Sequence, residues 1–457
     1  MNKLTTTLKQ TLNAIFDSHG NVDLIIAYSG GIDSQVLLHA LMQLQQNNVI
    51  NNDITVCHVN HGLSQNAVYW QKFAQQECKK HSAKLIVKYV NVKPQSQQSL
   101  EALARDARYD ALKSLKDNKC LVLTGHHSDD QSETFLLALK RGAGLKGLSS
   151  MATQTPLGKH LLVRPLLNIS RQEIESYAKT HLLDWVEDES NGDTSFDRNF
   201  IRQQIIPLLR ERWPSINSTI NRSASHCLAG QELLDELAEQ DLVICKAGEN
   251  SLHIDELKVL SPARFNNVIR FFMAQHGCLM PSTEQVSQVR HQLQAKNDKT
   301  PQIKVADHFF RRFKNELFLT PAYDDISHWH KSVISSFKAL ALEDIVINLP
   351  DNLGELFFTT NDINAAPENS LTCINLPKEG QQVTVRFSHD NPKCLPHFRQ
   401  HSRDVKKVLQ ELNIPPWQRK RIAFLYYDNN LVAAIGYFIC KPYIAKENQE
   451  SFSVFNR

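Results

Sequence analysis

Within the first 215 or so residues, short apolar runs rich in β-branched residues alternate with helical patterns, and few folds satisfy that alternation. The strand candidates are 22–28, 53–59, 84–90 and 120–124, with helical patterns between them at 34–46, 66–80 and 99–116. Parallel neighbours need a crossover connection, so strands separated by helices predict one parallel sheet with helices on both faces. In an α/β sheet of this kind ligands bind beyond the carboxyl ends of the strands. Three polar segments fall there: Ser29-Gly30-Gly31-Ile32-Asp33-Ser34, His58-Val59-Asn60-His61-Gly62 and Thr124-Gly125-His126-His127.

The first segment joins a buried-strand pattern to a helix start. A Gly-Gly turn in that position lets backbone N–H groups converge on an anion, and the helix dipole adds partial positive charge. No Gly-Lys-Ser/Thr closes the loop, so it is not a Walker A motif. It carries Asp33 instead of a lysine. A bare polyphosphate would meet that carboxylate as a like charge, and a divalent cation between them removes the conflict, which predicts Mg²⁺ beside a nucleotide.

Other segments bear on the same edge. The stretch from Leu100 to Tyr109 is strongly helical, with Leu100, Leu103, Ala104, Ala107 and Ala111 on one face and Glu101, Arg105 and Arg108 along its flank. Glu101 and Arg105 can pair at i,i+4 on the surface, while an alanine-rich flank also packs closely enough to aim an arginine into a cleft. The run Gly125 to Thr134 opens a helix whose first-turn acids suit the dipole. Asp130 and Glu133, three residues apart, present two carboxylates side by side, suited to a cationic ligand or a metal. The adjacent histidines His126 and His127 are poorly placed to bind one zinc ion together. Arg141 to Leu148 is a cationic, glycine-spaced loop that reads as a lid, an RNA contact or a plain connection. Ser170-Arg171-Gln172-Glu173 reads as a capping box and nothing more. Arg198 and Arg202 share a helix face and are candidates for phosphate contact.

At 457 residues the chain exceeds one ordinary core, and about three domains are expected. Residues 1–215 form the first; 216–330 is mainly helical with a hairpin around Lys314-Asn315-Glu316; 321–340 reads as a linker; and 340–457 is a small α+β module with strands at 383–387, 423–427 and 431–439 and a helix near 402–412. Arg399, His401, Arg403, Lys406, Lys407, Arg419, Lys420 and Arg421 cluster in this last module around Trp417, Tyr426 and Tyr427. Basic residues interleaved with rings are the surface expected for structured RNA. A net charge of +3 permits that partner without requiring it. The nine cysteines include no C-x-x-C pair, which opposes a disulfide framework, a zinc knuckle and a paired-thiol redox site. The amino end lacks an apolar signal core and no 18-residue apolar run occurs, so a cytoplasmic protein without membrane contact is expected.

Taken in order, these segments resemble the tRNA(Ile)-lysidine synthetase family of the PP-loop ATP pyrophosphatase superfamily. The resemblance rests on Ser29 to Ser34; His58 to Leu63; Glu101-Ala102-x-Ala104-Arg105-x-x-Arg108-Tyr109; and Gly125-His126-His127-x-Asp129-Asp130-Gln131-x-Glu133-Thr134. It continues through Arg141-Gly142-x-Gly144-x-x-Gly147-Leu148, Arg164 to Leu167, Asp188-x-Ser190-Asn191, Arg198-Asn199-x-Ile201-Arg202 and His401 to Trp417. One departure is Ser64, where family members usually carry an arginine.

The resemblance implies an adenine-nucleotide alpha-hydrolase-like PP-loop domain followed by two tRNA-binding domains. It implies ATP and Mg²⁺ as cofactors, and as partners free L-lysine and the isoleucine tRNA with a CAU anticodon; a homodimer is compatible with it. ATP would adenylate the oxygen on carbon 2 of the wobble cytidine, releasing pyrophosphate. The lysine ε-amine would then displace AMP, giving lysidine and changing codon reading from AUG to AUA and identity from methionine to isoleucine. Carried over by position, Ser29, Gly30, Gly31, Ile32, Asp33 and Ser34 bind ATP, with Asp33 on Mg²⁺. Asp33 and Asp130 are catalytic. Arg108 takes the lysine carboxylate, and Asp130 with Glu133 takes its ammonium. Arg198, Arg202, Arg399, Arg403, Lys406, Lys407 and Arg419 contact tRNA. A tRNA thiolase of the same superfamily is the alternative, disfavoured by the lack of paired cysteines.

Overall fold

The computed structural model describes residues 2–92, 100–293, 302–333, 344–360, 371–446 and 449–456. They group into two compact units, Met1–Leu237 and Ala238–Arg457.

The first unit is built on a six-stranded sheet. Its strands are β1 (Asp23–Ala27), β2 (Ile54–Asn60), β3 (Lys84–Tyr89), β4 (Cys120–Leu123), β5 (Gln154–Leu157) and β6 (His160–Val163), in the order β3-β2-β1-β4-β6-β5. β1 pairs in parallel with both β2 and β4, and β5 alone runs antiparallel, to β6. The four expected strands are present to within a residue or two. The β5–β6 hairpin was not foreseen, because two four-residue strands around Gly158 are too short for periodicity to register.

Successive side chains of β1 enter cores on opposite faces of the sheet. Leu24 and Ile26 enter a core with α1 (Lys3–His19), α2 (Ile32–Gln46), α3 (Ala67–Lys80) and the helix Arg171–Thr180, whereas Ile25 faces Leu112 of α4 (Leu100–Lys113). The order in which strands are added reverses between β1 and β4, the switch point at which such sheets open a crevice. Beyond β4 come α5 (Ser128–Lys140), the short α6 (Leu145–Leu148) and α7, which is Arg171–Thr180. The side chains of Leu100, Glu101 and Ala102 lie outside the described residues, and the Glu101–Arg105 pairing with them.

In the second unit the helices Pro262–Gln275 and Thr283–Leu293 pack on a five-stranded antiparallel sheet. The expected hairpin, His308–Phe313 with Glu316–Pro321, lies within it. The other strands have three or four residues each and escaped the sequence reading. The carboxyl-terminal part carries a second five-stranded sheet, a four-stranded sheet and the helix Val405–Glu411. His330–Val333, expected to be linker, pairs with Val383–Arg386 as an edge of the former sheet; residues 334–340 lie outside the described residues. Among the described residues no helix is long and apolar enough to cross a membrane.

One expectation is corrected here. Trp417, Tyr426 and Tyr427 are 8%, 1% and 2% exposed, so none offers a face on which a base could stack. Trp417 lies edge-on to Phe313 and Phe318, and Tyr426 belongs to the core beneath the helix Val405–Glu411. In sequence a buried ring beside arginines looks the same as an exposed one.

Candidate active site

The three segments at the carboxyl ends of β1, β2 and β4 line one cleft of about 1330 Å³, together with Arg108 of α4 and Arg198 and Arg202 from the chain beyond α7. Pockets for a single small ligand span about 300–1,000 Å³, so this cleft has room for a nucleotide and a second reactant.

The Gly-Gly turn is locked from within. Gly30 adopts φ +91°, a conformation glycine takes without strain, and its backbone carbonyl accepts from Val186 N–H at 3.0 Å. Ser34 Oγ accepts from the Ser29 and Gly30 N–H groups at 3.3 and 3.1 Å and donates to the Gly31 carbonyl at 2.9 Å, while Gly31 N–H donates to Ser29 Oγ at 3.4 Å. Three of the N–H groups expected to face an anion are therefore held by serine hydroxyls. The donors available to a phosphate move to the first turn of α2, whose N-cap, Gly31, supplies no side-chain cap.

Gly125 lets β4 approach this turn. A Cβ there would stand 2.8 Å from the Asp33 carbonyl carbon and 2.9 Å from its oxygen. Gly125→Ala is expected to push the turn aside and slow pyrophosphate release at least about tenfold while the protein stays folded. Single-turnover release together with a thermal melt checks this.

Asp33 occupies the second position of α2. Arg171 Nη1 donates to both its carboxylate oxygens, at 3.0 and 3.1 Å, and His127 Nε2 lies 3.5 Å from Oδ1. Burial raises the Asp33 pKa, against the downward pull of His127 and Arg171. His127 is the N-cap of α5: its Nδ1 accepts from Asp129 N–H at 3.2 Å, which in the neutral ring leaves the proton on Nε2, between Asp33 and Asp130. Asp130 completes the capping box by accepting from His127 N–H at 3.0 Å.

Asp130 and Glu133 do stand side by side, as their spacing predicts, but their acceptors are engaged. Arg198 reaches Asp130 Oδ1 at 3.0 Å and Glu133 Oε2 at 2.8 Å; Arg202 reaches Asp130 Oδ1 at 3.2 Å and Glu133 Oε1 at 2.6 Å. Burial works to raise the Asp130 pKa, yet His127, Arg198, His126 and the His127 N–H outweigh it and hold it at about 2. Arg202 sits in a π-helical turn, Ile201–Ile205, just before Pro207, which has no N–H to continue an α-helical ladder. Both guanidinium groups, expected to meet RNA phosphate, thus turn inward to carboxylates. Arg108, by contrast, makes no ion pair among the described residues and faces the cleft.

The sequence reading missed two functional-looking residues. The capping box at Ser170 is present, but Arg171 within it does more than begin a helix, since it holds Asp33. A cation in a helix's first turn opposes the dipole, and that was the available signal. Asp129, taken only as a first-turn acid, accepts from Arg171 N–H at 3.1 Å, Arg210 at 2.8 Å and Asn217 at 2.9 Å. Ser64 donates to Glu189 at 3.3 Å.

In the second unit, Arg399 and Arg403 both pair with Glu411, Lys407 lies 3.8 Å from Asp404, and Arg419 donates to the Ile414 carbonyl at 2.8 Å. Lys406 is exposed.

Three family models match the chain: a PP-loop domain over residues 4–209, the TilS substrate binding domain over 252–318 and the TilS substrate C-terminal domain over 383–454. The tRNA(Ile)-lysidine synthase of Serratia proteamaculans is 41% identical over 98% of this chain and 97% of its own length. That of Edwardsiella ictaluri is 41% identical over 92% of each chain, and that of Haemophilus influenzae 36% identical over 91% of this chain and 94% of its own.

Proposed function

The chain belongs to the tRNA(Ile)-lysidine synthase family, and from that premise we propose how its residues perform an ATP-dependent ligation on tRNA. The reaction is lysidine formation at the wobble cytidine, in a cytoplasmic setting, with free L-lysine as the second substrate. Cytosine O2 is a weak nucleophile and a poor leaving group, so its conversion to an adenylate is what lets an amine displace it.

The observation that carries the reading is the convergence of the uncapped first turn of α2, Asp33, Asp130, Glu133 and Arg108 on one cleft. The α2 donors receive the departing pyrophosphate. Mg²⁺ fits the donor set. Among the described residues no group of three or more metal-ligating side chains occurs, and Mg²⁺ characteristically takes one or two carboxylates and completes its shell with phosphate and water. Asp33 would hold it, and the ion would neutralise charge developing on the leaving group. Arg108, which makes no ion pair among the described residues, takes the lysine carboxylate in its fork. Asp130 and Glu133 take the ammonium group, which replaces Arg202, the more exposed of the two arginines at 40% against 23%. Arg399, Arg403, Lys406, Lys407 and Arg419 supply phosphate contacts to the tRNA.

Thiolation would need a reactive thiol in the cleft. Cys57 is the cysteine that lines it, 1% exposed and with its pKa pushed up to about 12 by burial, which makes it a poor nucleophile. Purified protein incubated with labelled lysine, ATP and the CAU-anticodon transcript tests the proposal. Incorporation that requires ATP and releases equal amounts of AMP and pyrophosphate is expected; no incorporation into that transcript would reject it.

A further inference from the structure

We infer that Arg171 is the protein's own cationic contact for the pyrophosphate part of the nucleotide. The inference rests on the adenylation reading above and assigns a residue which that reading does not use.

Phosphate loops that close with lysine carry their cation within the loop. Here the loop carries Asp33, a charge of the wrong sign, and the structure places a guanidinium directly on it. Arg171 Nη1 lies 3.0 and 3.1 Å from the two Asp33 oxygens, and Asp33 itself stands in the uncapped first turn of α2. Other cations near the turn hold carboxylates of their own: Arg202 is bound to Glu133 and Asp130 until the lysine ammonium replaces it, and Arg210 is bound to Asp129.

The base of the Arg171 side chain is fixed while its tip is open. Its backbone N–H is held by Asp129 at 3.1 Å and its Nε by Glu175 at 2.9 Å. Among the described residues Nη2 has no partner, and the side chain, 40% exposed, lines the cleft. A guanidinium anchored at Nε and free at Nη2 has half its fork ready for a second anion. Placement in the first turn of α7 costs dipole energy, so the position is explained by what the tip touches. Phosphate oxygens entering the cleft compete with the Asp33 carboxylate for Nη1 and meet Nη2 unopposed.

Equilibrium binding of inorganic pyrophosphate to the full chain in the presence of a chelator, followed by calorimetry, tests this without turnover. Arg171→Gln should weaken binding roughly tenfold or more, the loss expected for a charge-assisted contact. Asp33→Asn should strengthen it several-fold, because a like charge and a competitor for Nη1 disappear together. The double variant should keep only the part that comes from losing the like charge, so the gain is smaller without Arg171. Arg171→Lys, which keeps charge but not the fork, should fall between the wild type and Arg171→Gln; it covers the case in which the glutamine variant folds poorly.

Binding by Arg171→Gln equal to wild type, a gain from Asp33→Asn that is equally large in the Arg171→Gln background, or no wild-type binding at millimolar pyrophosphate would each overturn the inference. Failure of lysine incorporation by the wild type, with the Arg171 dependence intact, would reject the ligase reading and leave the anion contact standing.

Discussion

Asp33→Asn slows pyrophosphate release by on the order of 10²–10³-fold, the loss typical of removing one preorganised group that meets charge at the transition state. The fold should not suffer. Asparagine keeps the shape, and burial already disfavours the Asp33 charge, so its loss relieves a desolvation cost. Arg171 keeps its bond to Glu175. The expected signature is a melting temperature equal to or above wild type with single-turnover release nearly abolished at saturating ATP and Mg²⁺. Release within about threefold of wild type would remove Asp33 from the reaction.

Glu133→Ala acts on structure and substrate together. Glu133 is 1% exposed and holds two arginines, so its removal leaves two half-buried guanidinium groups sharing Asp130 alone. Breaking such a pair costs about 3–5 kcal/mol. With Arg202 at 40% exposure the lower end applies, about 3 kcal/mol. Glu133→Gln, which keeps the shape and one acceptor, should lose markedly less. Urea unfolding of the first unit checks the stability, and the KM for lysine checks the role, since the ammonium contact predicts a rise of tenfold or more in both variants. Wild-type stability in Glu133→Ala would show that the quartet does not hold the chain around Arg198. An unchanged KM would move the ammonium site elsewhere.

The core sheet was legible because β1, β2, β3 and β4 are separated by helical patterns, and the loops at their carboxyl ends could then be placed on one edge. The acidic pair was legible from an i,i+3 spacing that any helix honours. What occupies those acids was not. Arg198 and Arg202 lie some seventy residues away, and their inward turn depends on a π-helical turn ahead of Pro207 that has no periodicity of its own. Trp417, Tyr426 and Tyr427 misled for the opposite reason: composition shows rings beside cations but not whether those rings are buried. Arg171 was in plain view inside a recognised capping box, and its charge in a helix's first turn was the clue passed over.

Asp129 gives the cleft a mechanical property. One carboxylate gathers the start of α7, Arg210 and the first turn of the thirty-residue helix Ile216–Cys245, and it does so next to Asp130 along the backbone. Three segments distant in sequence thus terminate on a single peptide unit from the acidic pair. A shift of α7, Arg210 or Asn217 therefore bears on Asp129, the residue bonded to Asp130.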